Sequence, residues 1–382
     1  MHIGFITSEY PCKNCTSWGG LATSIKNLCQ ALVKESVQVT IFLIQDTKKE
    51  VWTEDHIHIH SIAPPKSPLL NWYFRRKYYE KYINTKVTQL KIDILEAPDW
   101  TGLTAFIRLR APLVIRMHGT DAYFCHLEGR RQKFKNYILE KKALQQADYL
   151  ISVSAFTRKL TKKLFHLKKD VTVIHNGIDT SLFSLNHTSQ TNPYLLLYFG
   201  TIIRKKGVLE LASVFNKLVE ENDLFRLQLI GRDSTDTFTG SSTLQMFYSL
   251  LSEKAKYRVT YTAPLPYSQI RSEIAKAGIV VLPSFAEAFP MTWLEAMAME
   301  KPFISSNIGW APEIMIQNIT GIMINPKNHQ EFKKAVIFMV TNQEQAKSYG
   351  KNARKRIEES FSLQATIKKN IDFYKTIVTK HT

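Results

Sequence analysis

Cysteine is scarce in this chain, and with it everything that would mark a disulfide scaffold. Of 382 residues only Cys12, Cys15, Cys29 and Cys125 carry thiols, too few to staple a chain of this length. Cys12 and Cys15 form a C-x-x-C, but neither Cys29, on an expected helix, nor Cys125 supplies the second pair of a structural zinc site. Long apolar runs are missing as well. No stretch reaches the ~18 apolar residues a spanning helix needs, and Met1–Thr7 breaks at Ser8 and Glu9 too soon for a signal peptide. These absences lead us to expect a cytoplasmic protein. Acidic residues are in deficit, 33 against 51 Lys and Arg, which leaves a net charge of +18. Such an excess favours a polyanionic partner: nucleic acid, an anionic bilayer or a phosphorylated substrate. Zinc-finger spacing and the aromatic signature of an RNA-recognition sheet are both missing, which argues against nucleic acid. The chain also lacks a repeat of roughly 20 to 50 residues, so it is no solenoid. Finally, it lacks an Asp-x-Asp pair of the kind that binds a divalent cation.

What is present is ordinary globular composition, 44% apolar and 22% charged, in a chain long enough for two α/β domains. Short apolar strands alternate with helical patterns, the signature of βαβ units and a parallel sheet. Expected strands are 3–7, 37–44, 57–63, 92–97, 113–118, 149–153 and 171–175, with a helix over about 21–34 whose Leu21, Ile25, Leu28 and Leu32 recur at helical spacing. A polar stretch from Ser184 to Pro193 reads as a linker. A second series follows, with strands at 194–199, 226–230, 258–262, 279–283 and 303–306. Its helices start near Gly207, Ser241, Tyr267 and Met291, and a polar helical stretch begins at about Gln343.

Chemistry concentrates in the second series. After the strand ending at Pro283, a loop carries Glu287, then Phe289, Pro290, Met291 and Thr292 lead into a helix that holds Glu295. Amides at such a helix start meet anions, while carboxylates accept from sugar hydroxyls. The strand ending at Phe199 runs into Gly200, Thr201, Arg204, Lys205, Lys206 and Gly207. In an open parallel sheet the carboxyl ends of strands are where ligands bind. Taken singly, each feature has a plain alternative: a capped loop, a solvated helix glutamate, a basic turn. In the first series Trp18-Gly19-Gly20-Leu21 joins a strand to a helix, where paired glycines allow positive φ and close approach of an anion, and His118-Gly119 ends the fifth strand.

Taken together, the Glu287-x7-Glu295 segment, Gly309-Trp310-Ala311-Pro312-Glu313, Thr320-Gly321, Lys206-Gly207 and Asn176-Gly177-Ile178-Asp179 resemble the retaining family-4 glycosyltransferases. The resemblance spans nearly the whole chain with its motifs in order. It implies an α/β architecture of two Rossmann-like domains facing across a cleft (the GT-B fold), with a C-terminal helix crossing back to the first. Domains are expected at 1–185 and 193–360, with the crossing helix at 361–382. By the same resemblance His118 and Glu287 contact the transferred sugar, Lys206 neutralises the diphosphate, Glu295 binds the ribose hydroxyls, and Gly19 and Gly20 lie over the phosphates. The family's arginine after the strand-closing glycine is here Thr201, which leaves Arg204 or Lys205 as substitutes.

The implied reaction is transfer with retention from a nucleotide-diphosphate sugar, with UDP favoured, and with no cofactor or metal. The acceptor side is read from the aromatic and basic segment Leu69–Tyr82, which suits either an anionic membrane surface with a lipid-linked saccharide or an ordinary amphipathic helix. The competing classes are a sugar-nucleotide 2-epimerase and a non-catalytic nucleotide-sugar binding protein.

Overall fold

The structure is a computed structural model describing residues 1–11, 19–45, 49–64, 72–184 and 191–381. Cys12, Cys15, Trp18, the Leu69-Leu70-Asn71 start of the aromatic segment and residues 185–190 of the linker stretch lie outside the described residues. The chain divides into two compact units, Met1–Ile178 with Phe361–Thr382, and Asp179–Ser360.

The first unit holds β1 (His2–Thr7), α1 (Gly20–Lys34), β2 (Gln38–Ile44), β3 (Glu50–Glu54), β4 (Ile57–Ile62), α2 (Trp72–Leu90), β5 (Ile94–Pro98), β6 (Leu113–Met117), α3 (Asp121–Glu128), α4 (Phe134–Gln146), β7 (Tyr149–Ser152), α5 (Ala155–Phe165) and β8 (Thr172–Val173). Its sheet runs β3-β4-β2-β1-β5-β6-β7-β8 and is parallel apart from β3, an edge strand antiparallel to β4. Every residue of β1, β5 and β6 is buried, as expected of strands covered on both faces. On one face Ile83 and Val87 of α2 and Leu144 of α4 pack on Phe42, Leu95 and Ile115. On the other, α1 packs on Ile3, Phe5 and Ile41. The stripe that α1 buries most deeply is Ala22, Ile25, Cys29 and Leu32; Leu21 and Leu28 stand at its margin, half-buried. The apolar arc is thus rotated from the one the leucines alone suggest.

The second unit contains β9 (Asn192–Phe199), α6 (Val208–Glu221), β10 (Arg226–Ile230), α7 (Thr243–Leu250), α8 (Glu253–Lys256), β11 (Val259–Thr262), α9 (Tyr267–Lys276), β12 (Ala277–Leu282), α10 (Met291–Ala298), β13 (Phe303–Ser306), α11 (Ala311–Ile314), β14 (Ile322–Ile324), α12 (His329–Thr341) and α13 (Gln343–Arg356). Its parallel sheet runs β11-β10-β9-β12-β13-β14, so the winding reverses between β9 and β12. A crevice at the carboxyl ends of the strands opens at such a switch point. Residues 179–184, expected at the tail of the first domain, pack instead with the second unit. Arg271 Nη1 donates to the Leu182 carbonyl (2.7 Å), Arg354 Nη2 donates to the Thr180 carbonyl (3.0 Å), and the Phe183 ring meets Tyr267 at 5.3 Å.

The chain closes with α14 (Leu363–His381), which belongs to the first unit and packs on its sheet through Ile367, Tyr374 and Ile377. A buried polar knot fastens it there. Arg116 donates to Glu96 from Nε (2.7 Å) and Nη2 (3.1 Å), and Nη2 also reaches Asn370 Oδ1 (2.7 Å) and the Tyr374 hydroxyl (3.1 Å). The Tyr374 hydroxyl donates to Glu96 Oε2 (2.6 Å). Among the described residues no helix is long and apolar enough to cross a membrane. Nor does any cluster of three His, Cys, Asp or Glu side chains offer a metal site among them.

Candidate functional site

At the switch point of the second unit, the loops that follow β9 and β12 are stitched together. The amides of Phe285 and Ala286 donate to the Lys205 carbonyl (2.7 and 3.3 Å). Gly207, at φ 74°, lies so close to β12 that a Cβ on it would stand 2.1 Å from the Pro283 carbonyl oxygen. Both the dihedral and the space demand glycine. Gly207→Ala is therefore expected to destabilise the second unit by more than about 3 kcal/mol, read as a lowered Tm, because a backbone carbonyl cannot move aside as a flexible side chain would.

The stitching brings together Lys206 and Glu287, which are far apart in sequence. Lys206 Nζ forms an ion pair with Glu287 Oε1, and Ser284 Oγ donates to the same oxygen at 2.9 Å. Ser284 and Glu287 are buried, and the Glu287 charge also pushes up the neighbouring Tyr198 phenol beyond what burial alone does. The Tyr198 hydroxyl donates to the Thr201 carbonyl (2.7 Å), which fixes the turn that carries Thr201.

Beside this pair α10 begins. Its N-cap is Pro290, and no side chain caps the helix, so amides of the first turn are left to meet an anion. Phe289, Pro290 and Met291 are buried. Thr292 is half-buried, its methyl 3.8 Å from where a Cβ on Gly200 would lie, so the end of β9 and the start of α10 face each other.

Glu295 lies one turn into α10. Buried at 4% exposure, it accepts a hydrogen bond from the Tyr267 hydroxyl at 3.0 Å, and burial pushes its carboxyl up to about 7. A carboxyl held above its ordinary value of 4.5 binds its proton more tightly in the folded chain. Its contribution is fully present below about pH 4.5 and is lost as pH climbs towards 7, by up to about 3 kcal/mol. Glu295→Gln removes that decline. The variant should melt above the wild type at about pH 8 and together with it at about pH 4; a gap independent of pH would contradict this.

Arg204 has a fixed partner in the free protein. It grips Asp236 with two hydrogen bonds (2.7 and 2.9 Å) and lies 5.5 Å from the Phe238 ring centroid. Arg204, together with Thr239, holds the Asp236 carboxyl down to about 2. Lys205 contributes its carbonyl to the stitching of the two loops.

Among the first-unit candidates, His118 follows β6, and its amide donates to Asp99 Oδ1 at 2.9 Å. Burial, reinforced by Arg116, pushes the imidazole down to about 3, so it is neutral rather than cationic near pH 7. Burial pushes Asp99 up to about 8. Gly19 and Gly20 open α1, but neither occupies the left-handed region: Gly19 is extended at φ −106°. The expectation of positive φ is therefore corrected. What the pair supplies is room, since a Cβ on Gly20 would meet nothing within 4 Å. Sequence reasoning assigned no role to Ser284, Tyr267, Asp236 or Asp99, each a common residue type whose part is recognisable only through its partner.

Comparison with known proteins bears on the family and the fold. A family model described as Glycosyltransferase Family 4 matches residues 18–182, and one described as Glycosyl transferases group 1 matches residues 182–356. A glycosyltransferase of Methanocaldococcus jannaschii is 23% identical, with 98% of each chain covered. The capsular polysaccharide biosynthesis glycosyltransferase CapM of Staphylococcus aureus is 23% identical over 64% of this chain and 66% of its own. Among solved structures, sucrose-phosphate synthase from Thermosynechococcus elongatus superposes with a TM-score of 0.80 at 17% identity, covering 99% of both chains. Anabaena HepE, solved in complex with UDP and glucose, gives 0.76 at 16% identity, covering 98% of this chain and 100% of its own. Two matched modules running from residue 18 to residue 356, on an α/β fold shared over the full length, place this chain in the group 1 glycosyltransferases of the GT-B fold.

Proposed function

We propose that the protein moves a sugar from a nucleotide-diphosphate sugar, with UDP as the favoured nucleotide, to a lipid-linked saccharide of cell-surface polysaccharide synthesis, with retention and without a bound metal. The observation that carries this reading is the Lys206–Glu287 pair beside the uncapped start of α10 at the switch point. Charge developing on the departing diphosphate meets Lys206 and the α10 amides, an electrostatic stabilisation that needs no proton transfer. Glu287 accepts from a hydroxyl of the transferred sugar, Glu295 from the ribose, and a same-face, oxocarbenium-like displacement gives retention. The roles that the sequence resemblance assigns to His118, Gly19 and Gly20 form part of the same proposal. HepE bound to UDP and the capsular role in CapM's name support the choice of nucleotide and pathway class.

The test is turnover on a panel of UDP-, GDP- and ADP-sugars with and without saccharide acceptors, following nucleoside diphosphate release and product stereochemistry. Acceptor-dependent release with an unchanged anomeric configuration is expected. Epimerised nucleotide sugar without acceptor would favour the isomerase, and binding without release would favour the binding protein.

For the membrane side, α2 presents Trp72, Tyr73 and Phe74 to solvent, the last 53% exposed. The Trp72 ring meets Phe106 at 5.6 Å, Lys142 of α4 lies over Phe106 at 5.9 Å, and α4 itself exposes Phe134 (76%) and Ile138. Exposed rings beside Lys and Arg suit the headgroup zone of an anionic bilayer. Arg76 backs that face: its guanidinium lies 5.7 Å from the Trp72 ring centroid while Nη1 donates to the carbonyls of Gly102, Leu103 and Ala105. Phe74→Glu with Phe134→Glu should lower retention on phosphatidylglycerol vesicles at least tenfold in co-sedimentation; unchanged retention contradicts the membrane role.

A further inference from the structure

One more cation stands at the second unit's crevice, outside every motif of the sequence. Beyond their last regular pair, β9 and β10 stay in register: the Gly200 amide donates to the Ile230 carbonyl (2.9 Å), the Ile202 amide to the Arg232 carbonyl (2.9 Å), and the Ser234 amide to the Ile202 carbonyl (3.0 Å). The ladder pairs Leu195 with Arg226 and Phe199 with Ile230, and Ile202 bridges Asp233. The same offset sets Arg232 beside Thr201, at the spacing of about 4.8 Å between neighbouring strands. Two glycines permit this approach. A Cβ on Gly231, at φ 152°, would stand 1.8 Å from the Gly200 carbonyl oxygen, and Gly200 is itself at φ 130°.

Two other cations of the crevice have carboxylate partners in the free protein. Lys206 pairs with Glu287 and Arg204 grips Asp236. Asp233, next to Arg232, is also engaged, accepting from Ser242 Oγ (2.6 Å) and the Leu244 amide (2.9 Å). Arg232 is exposed, and its guanidinium makes no ion pair or hydrogen bond among the described residues. Gly200 lies between this arginine's strand end and the start of α10, with Gly231 against it on one side and Thr292 on the other. A diphosphate lying over Gly200 therefore has α10 amides at one end and a guanidinium, whose planar fork fits phosphate oxygens, at the other.

We propose that Arg232 is a diphosphate-binding residue of the donor site, supplying from the neighbouring strand the positive charge that Thr201 lacks. This rests on the donor reading above. Calorimetric titration of the full chain with UDP, GDP, ADP and the matching monophosphates tests both. For the diphosphate that binds best, Arg232→Ala should weaken affinity by roughly 10- to 100-fold. The monophosphate should lose several-fold less, Arg232→Lys should lose less than Ala, and Thr201→Arg in the Arg232→Ala background should recover most of the affinity. Because the side chain is exposed, Tm should not move. Unchanged diphosphate affinity in Arg232→Ala, or equal losses for mono- and diphosphate, would overturn the assignment while leaving the donor reading intact. A wild-type protein that binds none of the three diphosphates would overturn both.

Discussion

Lys206→Ala is expected to cut donor turnover by about 100- to 1,000-fold, the loss typical when one preorganised partner of a developing charge is removed. The side chain meets Glu287 in the free protein. An incoming diphosphate gives it a second anion to serve, and that anion gains charge as the glycosidic bond breaks. The interaction is stronger in the transition state than in the ground state, so kcat should fall more than KM rises. Glu287→Gln keeps the Ser284 hydrogen bond and frees Lys206, so it should damage turnover while sparing nucleoside diphosphate affinity. If both variants turned over at wild-type rates, the site would lie elsewhere.

The largest effect on stability should come from the knot beneath α14. Glu96→Gln is expected to cost about 3–5 kcal/mol, because Arg116 then stays buried with its charge unopposed. Both side chains are only 4% exposed, and Glu96 and Tyr374 together hold the Arg116 guanidinium above its ordinary value. At roughly 2–4 °C per kcal/mol for a unit of this size, Tm should drop by about 6–20 °C in calorimetry. Tyr374→Phe keeps the ion pair and loses the hydroxyl that bonds Glu96, so a loss of about 1–3 kcal/mol is expected. A Glu96→Gln variant melting with the wild type would show that the knot does not carry the attachment of α14.

Strands β1, β2, β6, β9, β10, β12 and β13 were legible because each carries a short cluster of apolar residues bounded by turn or polar residues. β3 was not, since Glu50-Val51-Trp52-Thr53-Glu54 is short, half polar and held only at a sheet edge. The approximate meeting of Lys206 with Glu287 was legible because both lie just past neighbouring strand ends, where topology alone brings loops together. The fate of Arg204 was not. Its partner Asp236 lies 32 positions away, on a loop that no periodicity places. The knot was hidden for the same reason, with Glu96 and Tyr374 278 positions apart on elements whose contact only the complete fold creates. Gly207 and Gly231 were readable as glycines but not as necessities, for what forbids a side chain is a carbonyl from another strand in each case.

The most direct measurement is a crystal structure of the protein soaked with UDP, or with whichever nucleoside diphosphate binds best. The diphosphate should lie over Gly200, within hydrogen-bonding reach of Lys206 Nζ and the first amides of α10, with the ribose hydroxyls on Glu295. Nucleotide density at any other place on the second unit would contradict the account.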